Sequence, residues 1–290
     1  MQGERVKLLV IAGGGAYGIV PATFLRLLNY DDIKNVDVFG GTSVGGILSM
    51  YLAKTQNTLK MHRDFSECAK SIFKKSVFRT LNPFLPKYDE RNAEREYQKI
   101  YGNAFACDCI SKFIVPVFNF KIKKPVVFHN LTNRYAHYEL WKIARATSAA
   151  PTFFSPFSEN MLIDGGILEN LPIVTSVSLV CRHLNKKPSD LDVLAIGTGQ
   201  LPVDEGIGLN KVSRYTMLDW ARQLLPILAT KGNEMMSGLW GENMGFHSFQ
   251  LFNPVVMDSP MDDLGIIECA QQKCELYYGS FLEKWKKFIE

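Results

Sequence analysis

Several features are scarce in this chain of 290 residues, and each scarcity argues against a class of protein. The six cysteines include no CxxC pair, so neither a disulfide scaffold nor a zinc site is expected, and reduced core thiols in a reducing compartment fit better. No low-complexity tract or internal repeat is present, and apolar residues make up 47% of the chain against 21% charged residues. That balance is typical of a compact globular protein.

Neither positive nor negative charge strongly predominates in the chain. The 33 lysine and arginine residues exceed the 29 aspartate and glutamate residues by only four, and the excess is scattered in short pairs. Such a weak excess argues against a nucleic-acid partner. It remains compatible with contact to anionic lipid headgroups, because a few cationic side chains near a membrane each add attraction.

Long apolar runs are limited to one candidate, residues 8–25, which carry no charge. This run contains four glycines and a proline, so a turn fits it better than a membrane-spanning helix. The apolar core before the glycines is too short for a signal peptide, and Glu4 lies where a positive residue should be. We therefore expect a cytoplasmic protein with peripheral contact to membranes.

Short β-rich apolar runs alternate with segments of helical period, which is the pattern of an α/β layered fold. The first elements are predicted as strand 6–12, helix 19–29, strand 36–39 and helix 44–54. Further strand candidates are residues 113–120, 126–129, 161–163, 193–196 and 246–252. Residues 262–290 begin acidic and end basic, the charge order that a helix favours. Because no Pro/Gly/Ser-rich linker divides the chain, one domain over residues 1–290 is expected.

The most irregular stretch, residues 76–87, is predicted as a loop or lid. It places apolar side chains among basic ones, and these apolar residues are Phe78, Leu81, Phe84 and Leu85. Such a loop could dip into a lipid headgroup layer. The alternative is that the same side chains close over the core.

A sharp turn is predicted at Ser43, within Gly41-Thr42-Ser43-Val44-Gly45. The pentapeptide follows a strand candidate and opens a helical segment, which is the context of a nucleophile elbow. Small neighbours leave the serine oxygen clear, and the helix N-terminus behind it stabilises negative charge. The alternative is a tight turn with a capping serine.

The glycine run at residues 13–18 follows the first predicted strand and has two competing functional interpretations. As G-x-G-x-x-G it could bind a dinucleotide, but the second strand ends in glycine and its only acid, Asp37, lies at its start. As an oxyanion hole, its amides would face the negative oxygen that forms when a serine attacks an ester. The elbow at Ser43 favours the oxyanion hole over a nucleotide-binding oxidoreductase, and a turn that binds nothing remains the structural alternative.

A third glycine-flanked motif, Asp164-Gly165-Gly166, ends the short apolar run 161–163. A carboxylate there can act as a base, since burial would raise its pKa from near 4 and proton transfer can be concerted with nucleophilic attack. Taken alone, the motif also fits an ordinary Asp-Gly turn.

Together these three blocks resemble the patatin-like phospholipases, and the resemblance extends over almost the whole chain. Residues 144–154 are similar to the family's stretch before the aspartate, residues 113–130 to its central strands, and Asn253-Pro254 with Asp262-Asp263 to its C-terminal segment. The resemblance implies a three-layer α/β/α fold with a mixed, mostly parallel central sheet. It also implies a lipid acyl hydrolase of phospholipase A type that uses a serine-aspartate dyad without histidine, metal or cofactor.

Residue by residue, the resemblance assigns Ser43 as the nucleophile and Asp164 as the base. The expected oxyanion donors are the amides of Gly13, Gly14, Gly15 and Val44. The expected partners are membrane phospholipids or other glycerolipids, which are the substrates, and the residues expected to bind them are Phe153, Phe154, Phe84 and Leu85.

Two positions depart from the family's pattern. Tyr17 stands where the family usually has Arg or Lys, and Leu171 replaces the second asparagine of its DGG-x-x-x-N-N-P motif. The chain could therefore be a catalytically idle lipid-binding or scaffolding protein of the same fold. A third alternative is a Ser-His-Asp α/β-hydrolase, for which His183 and His247 are the candidate histidines because both follow Asp164.

Overall fold

The computed structural model describes residues 5–74, 79, 82, 85–200, 216, 232–256 and 259–290. Within these ranges seven strands form one sheet. The strands are β1 Val6–Ile11, β2 Val38–Gly41, β3 Lys112–Asn119, β4 Lys124–His129, β5 Leu162–Asp164, β6 Leu191–Ile196 and β7 Ser248–Phe252. Their order is β4-β3-β2-β1-β6-β7, and β5 pairs with β3 off this path.

Ten α-helices are described in the same ranges, joined by short 3-10 turns. The helices are α1 Ile19–Leu25, α2 Tyr30–Ile33, α3 Val44–Thr55, α4 Thr58–Ile72, α5 Glu90–Tyr101, α6 Leu140–Thr147, α7 Ile173–Leu184, α8 Gly232–Asn243, α9 Gly265–Glu275 and α10 Tyr278–Ile289. No described helix is long and apolar enough to cross a bilayer. The charge pattern of residues 262–290 predicts one helix, whereas the structure forms α9 and α10 with a break between them.

The sheet is mixed and mostly parallel, as predicted. Strands β3, β2, β1, β6 and β7 pair in parallel, whereas β4 and β5 both run antiparallel to β3. β3 pairs with β4 from Ile114 to Asn119, while on its other side the first half pairs with β2 and the second half with β5. Pro116 lies between the two halves, where neither β2 nor β5 has a residue paired with it, a position that suits a residue without an N–H.

Alternate residues of the central strands point to opposite faces, and each face has its own apolar core. Leu9 and Ile11 pack on one face with helices α1, α3 and α4. Leu8 and Val10 pack on the other face with α7. Strands buried on both faces need helices on both, so the predicted three-layer α/β/α architecture is confirmed.

The carboxyl ends of β1, β2 and β3 meet at one edge of the sheet because these neighbouring strands are parallel. The glycine run follows β1 and Ser43 follows β2, so both turns lie at this edge. β5 brings Asp164 opposite Val117, near the end of β3. Open α/β sheets bind ligands beyond the carboxyl ends of their strands, so this edge is where a site is expected.

Candidate active site

A cavity of about 700 Å³ opens at this edge of the sheet. Ser43 and Asp164 both line it, and most of the remaining lining is apolar. Helix α4 contributes a stripe of side chains at helical spacing, and these are Phe65, Cys68, Ala69 and Ile72. An apolar cavity with a few convergent polar groups is the usual form of a small-molecule site.

Ser43 adopts a backbone conformation that is unusual for a residue with a side chain. It lies between β2 and α3 with φ 54° and ψ −126°. A side chain at Gly45 would overlap the carbonyl oxygen of Ile11, and one at Gly41 would overlap the backbone of Gly45. The two glycines therefore allow the tight turn, while strain of this kind is typical of functional sites.

Thr147 supports the backbone of Ser43 from the end of α6. Its Oγ1 accepts a hydrogen bond from the Ser43 amide at 2.9 Å and donates one to the carbonyl of Pro116 at 3.1 Å. Thr147 is fully buried, so the Ser43 amide would have no water to replace this partner. Thr147 was given no role from sequence although it lies in the 144–154 stretch, because it is 104 residues from Ser43 and no local pattern connects the two.

Asp164 is a buried carboxylate at the end of β5. Its Oδ1 accepts a hydrogen bond from the Gly166 amide at 2.7 Å, and its own amide donates to the carbonyl of Ala149 at 3.1 Å. Burial raises the pKa of Asp164 to about 6, although interactions with the Ser43 hydroxyl and the Gly166 amide oppose this increase. The carboxyl thus interacts with Ser43 and releases its proton near neutral pH, both of which a general base requires.

The glycine run contributes fewer donors than expected. The Gly13 amide donates to the carbonyl of Asn170 at 2.9 Å, and Gly13 does not line the cavity. Gly14, Gly15 and Val44 do line it, and among the described residues their amides have no backbone acceptor. The expectation that Gly13 donates to an oxyanion therefore needs correction, because its N–H is already bound to Asn170.

Both departures from the family's pattern are buried. The hydroxyl of Tyr17 lies 2.7 Å from the Ser259 Oγ and accepts from the Ser259 amide at 3.2 Å. Close by, the Ala16 amide donates to the carbonyl of Met261 at 2.8 Å. Tyr17 therefore attaches residues 259–261 to the glycine run, and Leu171 is buried in the core beside α7.

Asp262 is a second buried carboxylate, and it also lines the cavity. It forms an ion pair with Lys87 and accepts a hydrogen bond from the Tyr88 hydroxyl. Burial acts to raise the pKa of Asp262, but these partners outweigh it and hold the pKa below 3.8. Asp262 is thus a fixed negative charge that ties the end of the 76–87 stretch to residues 260–262.

The predicted lipid-docking loop lies partly outside the described residues, which do not include Phe78, Leu81 or Phe84. Leu85 is 39% exposed and does not line the cavity, so the structure gives it no contact with a bound substrate there. Lys87 is paired with Asp262, and Arg79 lies 3.8 Å from carboxylates of Asp89 and Glu90. These two basic residues of the 76–87 stretch, where headgroup contact was expected, are therefore engaged with carboxylates of the protein itself.

The two predicted acyl-binding aromatics, Phe153 and Phe154, both line the cavity. Their rings pack against Tyr88, with centroids 6.3 Å and 5.6 Å away, and Phe154 also packs against Phe73. This aromatic cluster forms an apolar wall close to Asp164, on the side where residues 87–88 meet Asp262.

None of the five histidines lines the cavity. The His183 ring lies 5.3 Å from that of His129, and the His247 Nδ1 lies 2.7 Å from an Asp192 carboxylate oxygen. The two candidates for a catalytic triad therefore make their contacts elsewhere. Within the described ranges, no three His, Cys, Asp or Glu residues are grouped to hold a metal ion.

Residues 9–175 of the chain match the family model described as "Patatin-like phospholipase". That match spans more than half of the chain, so the protein belongs to the patatin-like phospholipase family. Ser43 and Asp164 both lie within the matched region. Strands β6 and β7 lie beyond it but complete the same sheet.

The chain is similar to patatins and patatin-like proteins, some of which are named as inactive. Patatin-17 of Solanum cardiophyllum is 28% identical over 258 residues, covering 75% of this chain and 67% of the relative. A protein of Arabidopsis thaliana named "Probable inactive patatin-like protein 9" is 28% identical over 234 residues, covering 68% of this chain and 61% of the relative. The chain thus spans about two thirds or less of these relatives. Whether this chain is active must therefore be judged from its own site residues.

Two solved structures are also similar to the chain. VipD from Legionella pneumophila aligns with a TM-score of 0.49 at 14% identity, covering 98% of this chain and 67% of that protein. The type III effector protein ExoU aligns with a TM-score of 0.37 at 14% identity, covering 97% of this chain and 54% of that protein.

Proposed function

We propose that the protein is an active lipid acyl hydrolase of phospholipase A type, which cleaves fatty-acyl esters of glycerolipids through Ser43 and Asp164. The observation that carries the proposal is that a strained serine and a buried carboxylate, whose pKa is raised to about 6, line the same apolar cavity. Membership of the patatin-like phospholipase family supports the reaction class. No cofactor or metal is needed, because the serine supplies the nucleophile.

In the first half of the reaction, the Ser43 oxygen attacks the acyl carbonyl while Asp164 accepts the hydroxyl proton. A carboxylate with an ordinary pKa near 4 is a weak base, and the burial that raises the pKa of Asp164 makes it a stronger one. The tetrahedral intermediate then collapses, and Asp164 returns the proton to the departing alcohol oxygen. An acyl-enzyme on Ser43 remains.

The negative oxygen of the intermediate is held by the amides of Gly14, Gly15 and Val44, which line the cavity and have no backbone acceptor among the described residues. The Val44 amide is the first of helix α3, so the helix N-terminus adds a favourable field. Fixed donors of this kind stabilise the transition state because they need no reorganisation during the reaction.

In the second half, Asp164 takes a proton from water as the water attacks the acyl-enzyme, and then protonates Ser43 on release of the fatty acid. The sum is one ester and one water converted to one acid and one alcohol. The acyl chain lies in the apolar cavity against α4 and the Phe153 and Phe154 rings. Because its lipid substrates aggregate, we propose that the protein acts at the membrane surface from the cytoplasm.

The second candidate, an idle lipid-binding protein, is favoured by the relatives whose names call them inactive. A fluorophosphonate probe and phospholipid hydrolysis distinguish the two functions, because only an activated serine is labelled. The cavity offers a matched control in Ser148, whose hydroxyl donates to the carbonyl of Ala144 at 2.8 Å. We expect Ser43→Ala to abolish labelling and turnover, and Ser148→Ala to retain both.

Labelling that survives in Ser43→Ala, or a parent protein that is folded but neither labelled nor active on any glycerolipid ester, would reject the proposal. Asp164→Asn, Ser43→Ala and the double variant should all lose a similar factor, since a nucleophile and its base act as one unit. Circular dichroism of each variant checks that the fold is retained.

A further inference from the structure

The loop between β3 and β4 carries an exposed surface that the catalytic site does not use. Two exposed apolar side chains lie in the loop, Phe120 (51% exposed) and Ile122 (55% exposed). A third, Met161 (45% exposed), lies beside it. The Phe120 amide donates to the carbonyl of Met161 at 3.1 Å, which joins the two segments. With Lys121, Lys123 and Lys124, these residues form what we call the hairpin patch.

The hairpin patch is strongly basic. Residues 119–126 contain three lysine residues and no aspartate or glutamate. Lys121, Lys123 and Lys124 are all exposed, and none forms an ion pair with a described residue. The nearby carboxylate of Glu159 is engaged with Lys142 and Tyr138.

The patch lies at the same edge of the sheet as the active-site cavity. Asp164 is opposite Val117 of β3, and Phe120 follows three residues later toward the carboxyl end. At about 3.3 Å per residue the loop extends roughly 10 Å past the level of Asp164. Leu168, which is also exposed, directly follows the cavity-lining Ile167 on a turn that packs against β3.

We propose that the hairpin patch docks the protein on an anionic phospholipid bilayer and turns the cavity toward it. Apolar side chains at the tip enter the headgroup layer while the three lysines meet anionic headgroups. The bilayer is the occupant that fits, because unpaired positive charge surrounds apolar tips at the edge where an apolar cavity opens. This inference rests on the proposed function in one respect, which is that the substrate is a membrane lipid. Docking itself needs no turnover.

Docking is therefore measured in the Ser43→Ala background by sedimentation with phosphatidylcholine vesicles, with and without phosphatidylserine. The charge variant combines Lys121→Gln, Lys123→Asn and Lys124→Gln. Asparagine is chosen at 123 because that residue has φ 53°, a conformation that asparagine tolerates. Each lysine near an anionic surface contributes about fivefold to vesicle affinity. The triple variant should therefore bind the anionic vesicles roughly a hundredfold more weakly.

A matched charge control removes three lysines from the opposite edge of the sheet. The last turns of α10 carry Lys284, Lys286 and Lys287, and the end of this helix meets the amino end of β1 through a hydrogen bond from Lys7 to the carbonyl of Ile289. Replacing these three with glutamine changes the net charge equally. Vesicle affinity should then fall less than about fivefold, because these lysines face away from the bilayer.

The apolar half of the patch is tested with Phe120→Ser combined with Ile122→Ser. We expect at least about a tenfold loss of vesicle binding, since each inserted side chain buries apolar area. With Ser43 intact, hydrolysis of vesicle lipid should fall in parallel while a short soluble ester is cleaved at the parental rate. Melting temperatures of the hairpin variants should stay constant because the replaced hairpin side chains are exposed.

Three outcomes would overturn the docking surface. One is parental vesicle affinity in both hairpin variants, and another is an equal loss in the α10 control, which would indicate net charge alone. The third is loss of soluble-ester hydrolysis with vesicle binding unchanged. Failure of the proposed function is distinguishable, because an inactive parent protein that still binds anionic vesicles through the hairpin leaves the docking surface intact.

Discussion

Replacing Asp164 by asparagine is expected to make the protein more stable while removing its activity. The carboxyl is 5% exposed, and burial raises its pKa from 3.8 to about 6. Asparagine keeps an oxygen that can accept the Gly166 hydrogen bond but carries no charge. At 1.36 kcal/mol per pKa unit, the ionised carboxylate costs the folded state about 3 kcal/mol at pH values above 6.

The sign of the pH dependence follows from the raised pKa. Asp164 contributes stability below about pH 4, where it is protonated in both the folded and unfolded states, and this contribution is lost as the pH rises through about 6. Urea unfolding should therefore show Asp164→Asn and the parent equally stable near pH 4. The variant should become more stable by up to about 3 kcal/mol at pH 8.

Activity should show the opposite trend with pH. The kcat/KM of the parent should fall about tenfold per pH unit below 6, because only the ionised carboxylate accepts the Ser43 proton. Asp262 supplies a control of opposite sign, since Lys87 and Tyr88 hold its pKa below the ordinary value. Asp262→Asn should therefore destabilise the protein at neutral pH, by an amount that shrinks as the pH falls.

Two results would contradict a buried base: Asp164→Asn no more stable than the parent at pH 8, or a kcat/KM profile of the parent with its midpoint near pH 4. Either result would mean that water reaches the carboxyl and that burial does not set its basicity. A buried base that costs stability is consistent with a trade of stability for catalysis.

The remaining predictions concern the backbone support, the histidines and the cavity. Thr147→Val should lower kcat roughly tenfold with KM unchanged, because it leaves the Ser43 amide without a partner, and Thr147→Ser should restore the rate. His183→Ala and His247→Ala should each leave turnover within about tenfold of the parent in a steady-state assay, far from the loss of a triad member. Ala69→Phe should reduce hydrolysis of long-chain esters relative to short-chain esters in a chain-length series, because the added ring fills the cavity.

The sequence alone was enough to predict the local structure around the proposed site. The glycine run, the Ser43 elbow and the Asp-Gly turn each follow a short apolar strand, and strand-to-turn patterns depend on neighbouring residues. Strand boundaries shifted by up to two residues, as at β2, where pairing with β1 sets the register. The layered fold and its mostly parallel sheet could be predicted because the order of elements limits the topology.

Only the tertiary structure decided how the parts of the site act on one another. It brought Thr147 to the Ser43 amide, bound the Gly13 amide to Asn170 and paired Lys87 with Asp262. Each of these contacts joins residues more than 100 positions apart. The sequence could suggest that burial would raise the pKa of Asp164, but only the packing of many segments shows that this carboxyl is buried. Sequence determined which groups are available, and the packed fold determined which of them are free, charged or already bound.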